Sequence, residues 1–298
     1  LQRDAGAEYA GFFGYLGDGA RVCNLSFTDV ALPTEDAREA ILGVVAGSVV
    51  TEASVRLSSL TVRSDVTFAG NGAVGGVVGH VSASDIEVSD VDVFMNVSGN
   101  ANVGGVIGVA EGAIELRDVH HVGEVEVAGS TVGGVAGFVL GAATLSTVSH
   151  IGTVHAGSAV AGGILGAVAG TLSMTDVETV GSVTAGEPGF GTQAGGIVGM
   201  AGAGFKAHTV RYAGSVVRSG TSAGGVAGLV VGNVSAVDVT VSVTNLEASS
   251  GYAGGLIGNV IGTTQARDVT VDATVSGASS LGGMFGQVNG DLDLENAV

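Results

Sequence analysis

VGGVVG at 74–79, VGGVIG at 103–108, VGGVAG at 132–137 and AGGILG at 161–166 read as one motif, small-Gly-Gly-apolar-apolar-Gly, returning at a steady interval. The other copies are AGFFG at 10–14, LGVVA at 42–46, AGGIVG at 194–199, AGGVAG at 223–228, AGGLIG at 253–258 and LGGMFG at 281–286, ten in all. Counted from the second glycine or its equivalent (Gly11, Gly43, Gly76, Gly105, Gly134, Gly163, Gly196, Gly225, Gly255, Gly283), the steps are 32, 33, 29, 29, 29, 33, 29, 30 and 28 residues. A period sustained between about 20 and 50 residues marks a solenoid or an array.

The residues between the glycines decide what each unit contains. SDIEVSDVDV at 84–93 and DVTVDATV at 268–275 alternate polar with β-branched side chains, and no stretch keeps a helical spacing. A unit of 29 residues is therefore one circuit of two or three short strands joined by tight corners, stacked on the next at roughly 4.8 Å. The chain is expected to be all-β, a β-solenoid of about ten coils forming one domain over 1–298. The absence of tryptophan, two prolines, 54 glycines and an aromatic content of 4% point to a thin interior filled by small and β-branched side chains. Apolar runs such as AVAGGILGAVAGTLSM at 159–174 are too short and too rich in glycine for a membrane helix, so no membrane insertion is expected.

A formal charge of −18 with only ten basic residues excludes the clustered Lys and Arg that a nucleic-acid backbone requires. The acidity reads as solubility of a long surface, with divalent-cation binding as the sharper alternative. Cys23 stands alone, so no internal disulfide is available. Asn24-Leu25-Ser26, Asn96-Val97-Ser98 and Asn233-Val234-Ser235 fit the N-glycosylation acceptor pattern, which matters only in a secreted eukaryotic protein.

Superposing the units exposes a second column about ten residues after each motif, a short polar residue followed by an aliphatic one. Its polar members are Asn24, Ser59, Asp90, Asp118, Thr147, Asp176, Thr209, Asp238, Asp268 and Asn296. Side chains of this kind bond to nearby backbone and suit a solenoid corner. The competing reading is a carboxylate ladder for Ca²⁺, interrupted by the neutral Thr147 and Thr209; no other cofactor is expected.

The glycine motif followed by the Asn-Leu or Asp-Val pair resembles the GLUG repeat of large surface proteins. Ala10-Gly11-Phe12-Phe13-Gly14-Tyr15-Leu16 with Asn24-Leu25 is the unit most similar to it, and the resemblance covers essentially the whole chain. Asp or Thr at the place of the usual Asn, and the degenerate LGVVA copy, depart from the pattern. The resemblance implies an extracellular or cell-surface solenoid used for display, adhesion or spacing, and no activity of its own.

If the motif's last four residues formed one regular strand, the position two before the final glycine would point inward and the flanking set outward. That outward set includes Phe13, Tyr15, Ile107, Val109, Phe138, Leu165, Met200, Leu229, Ile257 and Phe285. An apolar strip ten coils long is a candidate interaction face, since monomers rarely leave so much contiguous apolar surface bare. The final unit stops part-way round a coil, which suggests an excerpt of a longer chain or end-to-end stacking.

Three insertions, Ala31–Ala40, the residues after Gly47 and Gly186–Gln193, are short loops with no ligand assigned. His121 and His150 occupy equivalent places in adjacent coils, continued by Thr179 and Tyr212. They read as imidazoles about 5 Å apart on a solvated face, with a zinc pair as the alternative. Glu126 and His155 form a weaker cross-coil pair. The column Asp92, His120, Ser149, Glu178, Arg211, Thr240, Thr270 lacks the uniform threonines of an ice-binding rank. Chemistry on a glycan needs clustered carboxylates or a poised base, and Lys206 is the only lysine. The expected function is thus a non-enzymatic structural or adhesive solenoid that self-assembles through its apolar face or open ends. A glycan-binding or glycan-processing β-helix is the alternative.

Overall fold

The computed structural model describes residues 8–30, 41–157, 159–186, 191–277 and 279–298, so the Ala31–Ala40 insertion and 187–190 of the third insertion lie outside the described residues. Every regular element among those residues is a β-strand, and no helix long and apolar enough to cross a membrane occurs there. The strands form three parallel sheets, two of ten strands (sheets A and B) and one of fifteen (sheet C). Ten rungs close about nine full turns of a β-solenoid with a spacing near 29 residues.

One coil shows the plan. Val103–Gly104 lies in sheet A, the chain arches at Gly105-Val106, and Ile107–Ala110 runs in sheet B. Ala113–Val122 and then Val125–Val127 belong to sheet C before the chain returns to sheet A. In later coils the two sheet C segments fuse into single strands, Phe205–Ser219, Val234–Ala248 and Thr264–Gly277. Stacking is in register with the motif, Val103 opposite Val132, Ile107 opposite Ala136 and Leu116 opposite Leu145. Each residue type therefore meets its own kind in the next coil, where parallel strands bury continuous columns of Val, Leu and Ile.

Sheets A and B touch through their backbones, which is what the glycines are for. A Cβ built on Gly104 would stand 2.0 Å from the Ile107 carbonyl oxygen and 2.8 Å from the Gly137 nitrogen. From the facing side, a Cβ on Gly108 would stand 2.9 Å from both the Val74 nitrogen and the Val74 carbonyl oxygen of sheet A. Sheets separated by side chains pack about 10 Å apart; here no side chain fits between them. The second motif glycine serves a different neighbour, since a Cβ on Gly105 would stand 2.5 Å from the His121 ring.

The arch also corrects the expected orientation of the motif. The amides of Val106 and Ile107 both donate to the Val135 carbonyl, at 2.8 and 3.0 Å, and the same doubling recurs at Ile164-Leu165 and Leu256-Ile257. Two residues set against one carbonyl form a bulge, which breaks strand alternation. Both members of each pair are buried, and Ile107, Leu165 and Ile257 have no exposed surface. They do not belong to an exposed face.

All ten residues of the polar column adopt the left-handed backbone conformation, with φ between 51° and 57°. The left-handed residue adds one outward position, so Arg117 and Asp118 are both exposed before Val119 returns to the core. Asn and Asp tolerate this conformation best among residues with a Cβ, which accounts for seven of the ten: Asn24, Asp90, Asp118, Asp176, Asp238, Asp268 and Asn296.

Two expectations separate these constraints. Gly133→Ala places a Cβ 2.0 Å from the Ala136 carbonyl oxygen, and the denaturation midpoint should fall by more than ordinary overpacking of about 1–3 kcal/mol would produce. Asp176→Val should cost about 1–2 kcal/mol through backbone strain alone, whereas Asp176→Gly should match or exceed wild type in urea unfolding. A loss with glycine equal to that with valine would assign Asp176 a role other than the corner.

Candidate functional site

The outer face of sheet B carries the surface the sequence pointed to, in altered form. One column reads Tyr15, Ser48, His80, Val109, Phe138, Ala167, Met200, Leu229, Asn259 and Gln287. Tyr15 is exposed, whereas Val109, Phe138, Met200 and Leu229 are half-buried. Phe13 and Phe285, from the motif column, are also half-buried and lie in the first and last coils. Leu140, Val231 and Ile261 form a parallel column and are 53%, 38% and 46% exposed. Alternation two residues beyond Phe138, Leu229 and Asn259 would have found these three. Together the two columns make an apolar strip from Val109 to Ile261, bordered by one acidic residue, Glu111.

The N-terminal end of the same face is polar. Ser48 Oγ lies 3.5 Å from His80 Nδ1, and His80 Nε2 lies 3.2 Å from Glu111 Oε1. The Ser82 hydroxyl donates to Glu111 Oε2 at 2.5 Å and, with His80, holds that carboxyl below its ordinary range. Hydroxyl, imidazole and carboxylate stand in series, but Ser48 has no exposed surface and its contact with His80 is longer than a working proton-transfer distance of about 2.6–3.2 Å. The group ties three coils together and presents no accessible nucleophile.

The polar corner column runs along sheet C, partly cross-linked from coil to coil. Thr209 Oγ1 donates to Asp238 Oδ2 at 3.2 Å and Asn296 Nδ2 to Asp268 Oδ1 at 3.0 Å. Among the described residues no three His, Cys, Asp or Glu side chains gather into a metal-ligand set. Glu126 is in register with His155, whose Nδ1 bonds instead with Thr184 Oγ1 at 2.7 Å.

His121 and His150 are not on a solvated face. Both have no exposed surface, and their rings stack with centroids 5.0 Å apart and planes 7° from parallel. The register places Val62, Val93, Thr179, Tyr212, Val241 and Val271 in the same column. Those flanking valines were the sequence signal that the column faces inward. Room for the rings comes from Gly105 and Gly134, whose missing Cβ atoms would lie 2.5 and 2.4 Å from them. One hydrogen-bond assignment fits. His121 Nε2–H donates to the Met95 carbonyl at 3.0 Å, and His150 Nδ1–H donates to His121 Nδ1 at 2.9 Å. His150 Nε2 is left as a buried acceptor without a partner. Burial drives the His121 pKa down to about 4, and burial with the neighbouring ring drives that of His150 well below its ordinary value.

In comparisons with known proteins, no family model matches the chain, and no curated protein or solved structure is significantly similar to it. The site is therefore read from its own geometry.

The neutral pair links stability to pH. An unfolded histidine binds its proton near pH 6.5, and folded His121 only near pH 4. As pH falls through that window the unfolded chain takes up protons first, so stability present above about pH 6.5 is lost toward pH 4. The double variant His121→Val/His150→Val, using the residue found at Val93 and Val241, should flatten this part of the curve in urea titrations at pH 7, 5.5 and 4. An unchanged slope would show that the acid sensitivity lies elsewhere.

Proposed function

We propose that this chain is a structural β-solenoid of the GLUG-repeat kind, a rigid extracellular or cell-surface module without catalytic activity. It associates with a second copy of itself through the outer face of sheet B. The observation that carries this reading is the apolar strip of Phe138, Leu140, Met200, Leu229, Val231 and Ile261, two columns wide. Apolar side chains gathered along one face, three of them exposed, mark a candidate interaction surface.

Charge segregation supports the choice of a second copy as occupant. The carboxylates of the middle coils, among them Asp90, Glu115, Asp118, Asp176, Glu178, Asp238 and Asp268, belong to sheet C. The strip on sheet B bears none beyond Glu111. Two copies joined through sheet B keep their acidic faces apart, so a net charge of −18 does not forbid association, and screening by salt should favour it.

Electron microscopy and light scattering of the purified chain test this. The wild type should form side-by-side pairs or larger ordered assemblies that tighten with salt. Phe138→Ser/Met200→Ser/Leu229→Ser should leave separate rods with unchanged circular dichroism. Wild-type rods that stay single at every attainable concentration and salt would remove the reading.

A further inference from the structure

A second surface lies at the corner where sheet B gives way to sheet C, and it differs chemically from everything around it. A groove of about 610 Å³ crosses five consecutive coils there, a volume within the usual range of about 300–1,000 Å³ for ligand sites. Its floor is one outward column of sheet C, Thr144, Ser173, Lys206, Ser235 and Gln265, held in register by the strand ladder. Asn233, from the turn before Ser235, forms part of the wall. Its Oδ1 accepts the Thr263 amide at 3.3 Å, which leaves its NH₂ for the groove.

Two features make this a site in place of an ordinary polar face. Lys206 is the only lysine of a chain with 28 carboxylate residues. It is exposed, forms no ion pair among the described residues, and no carboxylate lines the groove. In addition, the acids of this column lie outside the groove: Glu87 and Glu115, ion-paired with Arg56 and Arg117, precede Thr144, and Asp293 follows Gln265. Within the groove the one formal charge is therefore the Lys206 ammonium, which marks where a ligand carboxylate would be held.

The form of the ligand follows from the backbone. The sheet C strands spend their amides and carbonyls on each other, so recognition falls to hydroxyl, amide and ammonium groups. These groups repeat every 4.8 Å or so, giving a floor of roughly 19 Å over five coils. That spacing is comparable to the rise of one residue in an extended oligosaccharide, whose hydroxyls match such groups one sugar per coil. A peptide would instead require unpaired backbone.

We propose that this groove binds an acidic oligosaccharide of three or four sugars, with one carboxylate on Lys206 and neighbouring hydroxyls on Ser173, Ser235, Asn233 and Gln265. The groove shares no lining residue with the sheet B strip, so the two can be altered separately.

The test is isothermal titration of the full chain with tetragalacturonate, a hyaluronan tetrasaccharide, cellotetraose, monomeric galacturonate and inorganic phosphate. At least one acidic tetrasaccharide should bind, more weakly as salt rises. Lys206→Met should reduce that affinity about ten- to a hundredfold, Lys206→Arg should retain most of it, and Gln265→Ala should lower it severalfold. Circular dichroism should show all three variants folded; the exposed positions make this the expected result. Binding of neither acidic tetrasaccharide, equal binding of cellotetraose, or indifference to Lys206→Met would each overturn the proposal. Phosphate or galacturonate binding as tightly as the tetrasaccharide would reduce the groove to a simple anion site and also overturn it. The triple variant of the sheet B strip should bind the acidic glycan as wild type does, which separates a failure here from a failure of self-association.

Discussion

Everything in this molecule depends on the contact between the backbones of sheets A and B. A strand can lie against another strand without intervening side chains only where the facing residue has no Cβ, and Gly75, Gly104, Gly133 and Gly162 each meet a carbonyl oxygen at a distance no Cβ accepts. That contact closes the arch, and the closed arch returns the chain to sheet C one strand spacing further along. The apolar columns then stack in register. Hydrophobic burial supplies the driving force, as in any core, but the glycines determine which surface is buried.

This division explains what could be read directly from the chain. The motif spacing carries the coil length, and from the third coil on the ladder register follows it residue for residue, as Val78, Ile107 and Ala136 show; in the degenerate LGVVA copy Ala46 and not Val45 pairs with Val78, so Gly43 matches the first motif glycine, Gly75, and not Gly76. The polar column was legible as a recurring backbone bend; the structure adds that each member takes the left-handed conformation, and does so within a continuous sheet C strand, as Asp118 does in Ala113–Val122. Orientation at the arch was not. A rule of alternation presumes an unbroken ladder, and the shared Val135 carbonyl breaks it, turning Ile107 inward beside Val106. The histidines were misread for a related reason. His121 taken with His150 alone suggests solvent, while the whole column, valine at both ends, shows an interior position.

The buried imidazoles also show what a solenoid tolerates. Each coil is stabilised mainly by its two neighbours, so a costly feature stays local. The unpaired His150 Nε2 and the unpaired Thr179 hydroxyl sit in adjacent coils. Next to them, Tyr212 satisfies its hydroxyl on the Gly181 and Val216 carbonyls at 2.9 and 3.2 Å. Burial keeps that phenol un-ionised. Polar side chains thus occupy four successive rungs of one inner column in mid-rod, while valines fill the same column on either side. The second glycine of each motif leaves space over this column, which is why residues as different as Val, His, Thr and Tyr fit it.

The outer surfaces follow from the same geometry. Because equivalent residues stack at one strand spacing, any outward column becomes a line of like or unlike groups along the rod, and its character is set by substitution within a fixed frame. On sheet C this yields a column that is neutral from Thr144 to Gln265 save for Lys206; on sheet B it yields an uncharged strip beside a polar cluster at Ser48, His80 and Glu111. Two surfaces of opposite chemistry that share no residue suit different partners. The groove at Lys206 would then be repeated in each copy of an assembly, so that weak binding at one groove is multiplied by the number of copies aligned.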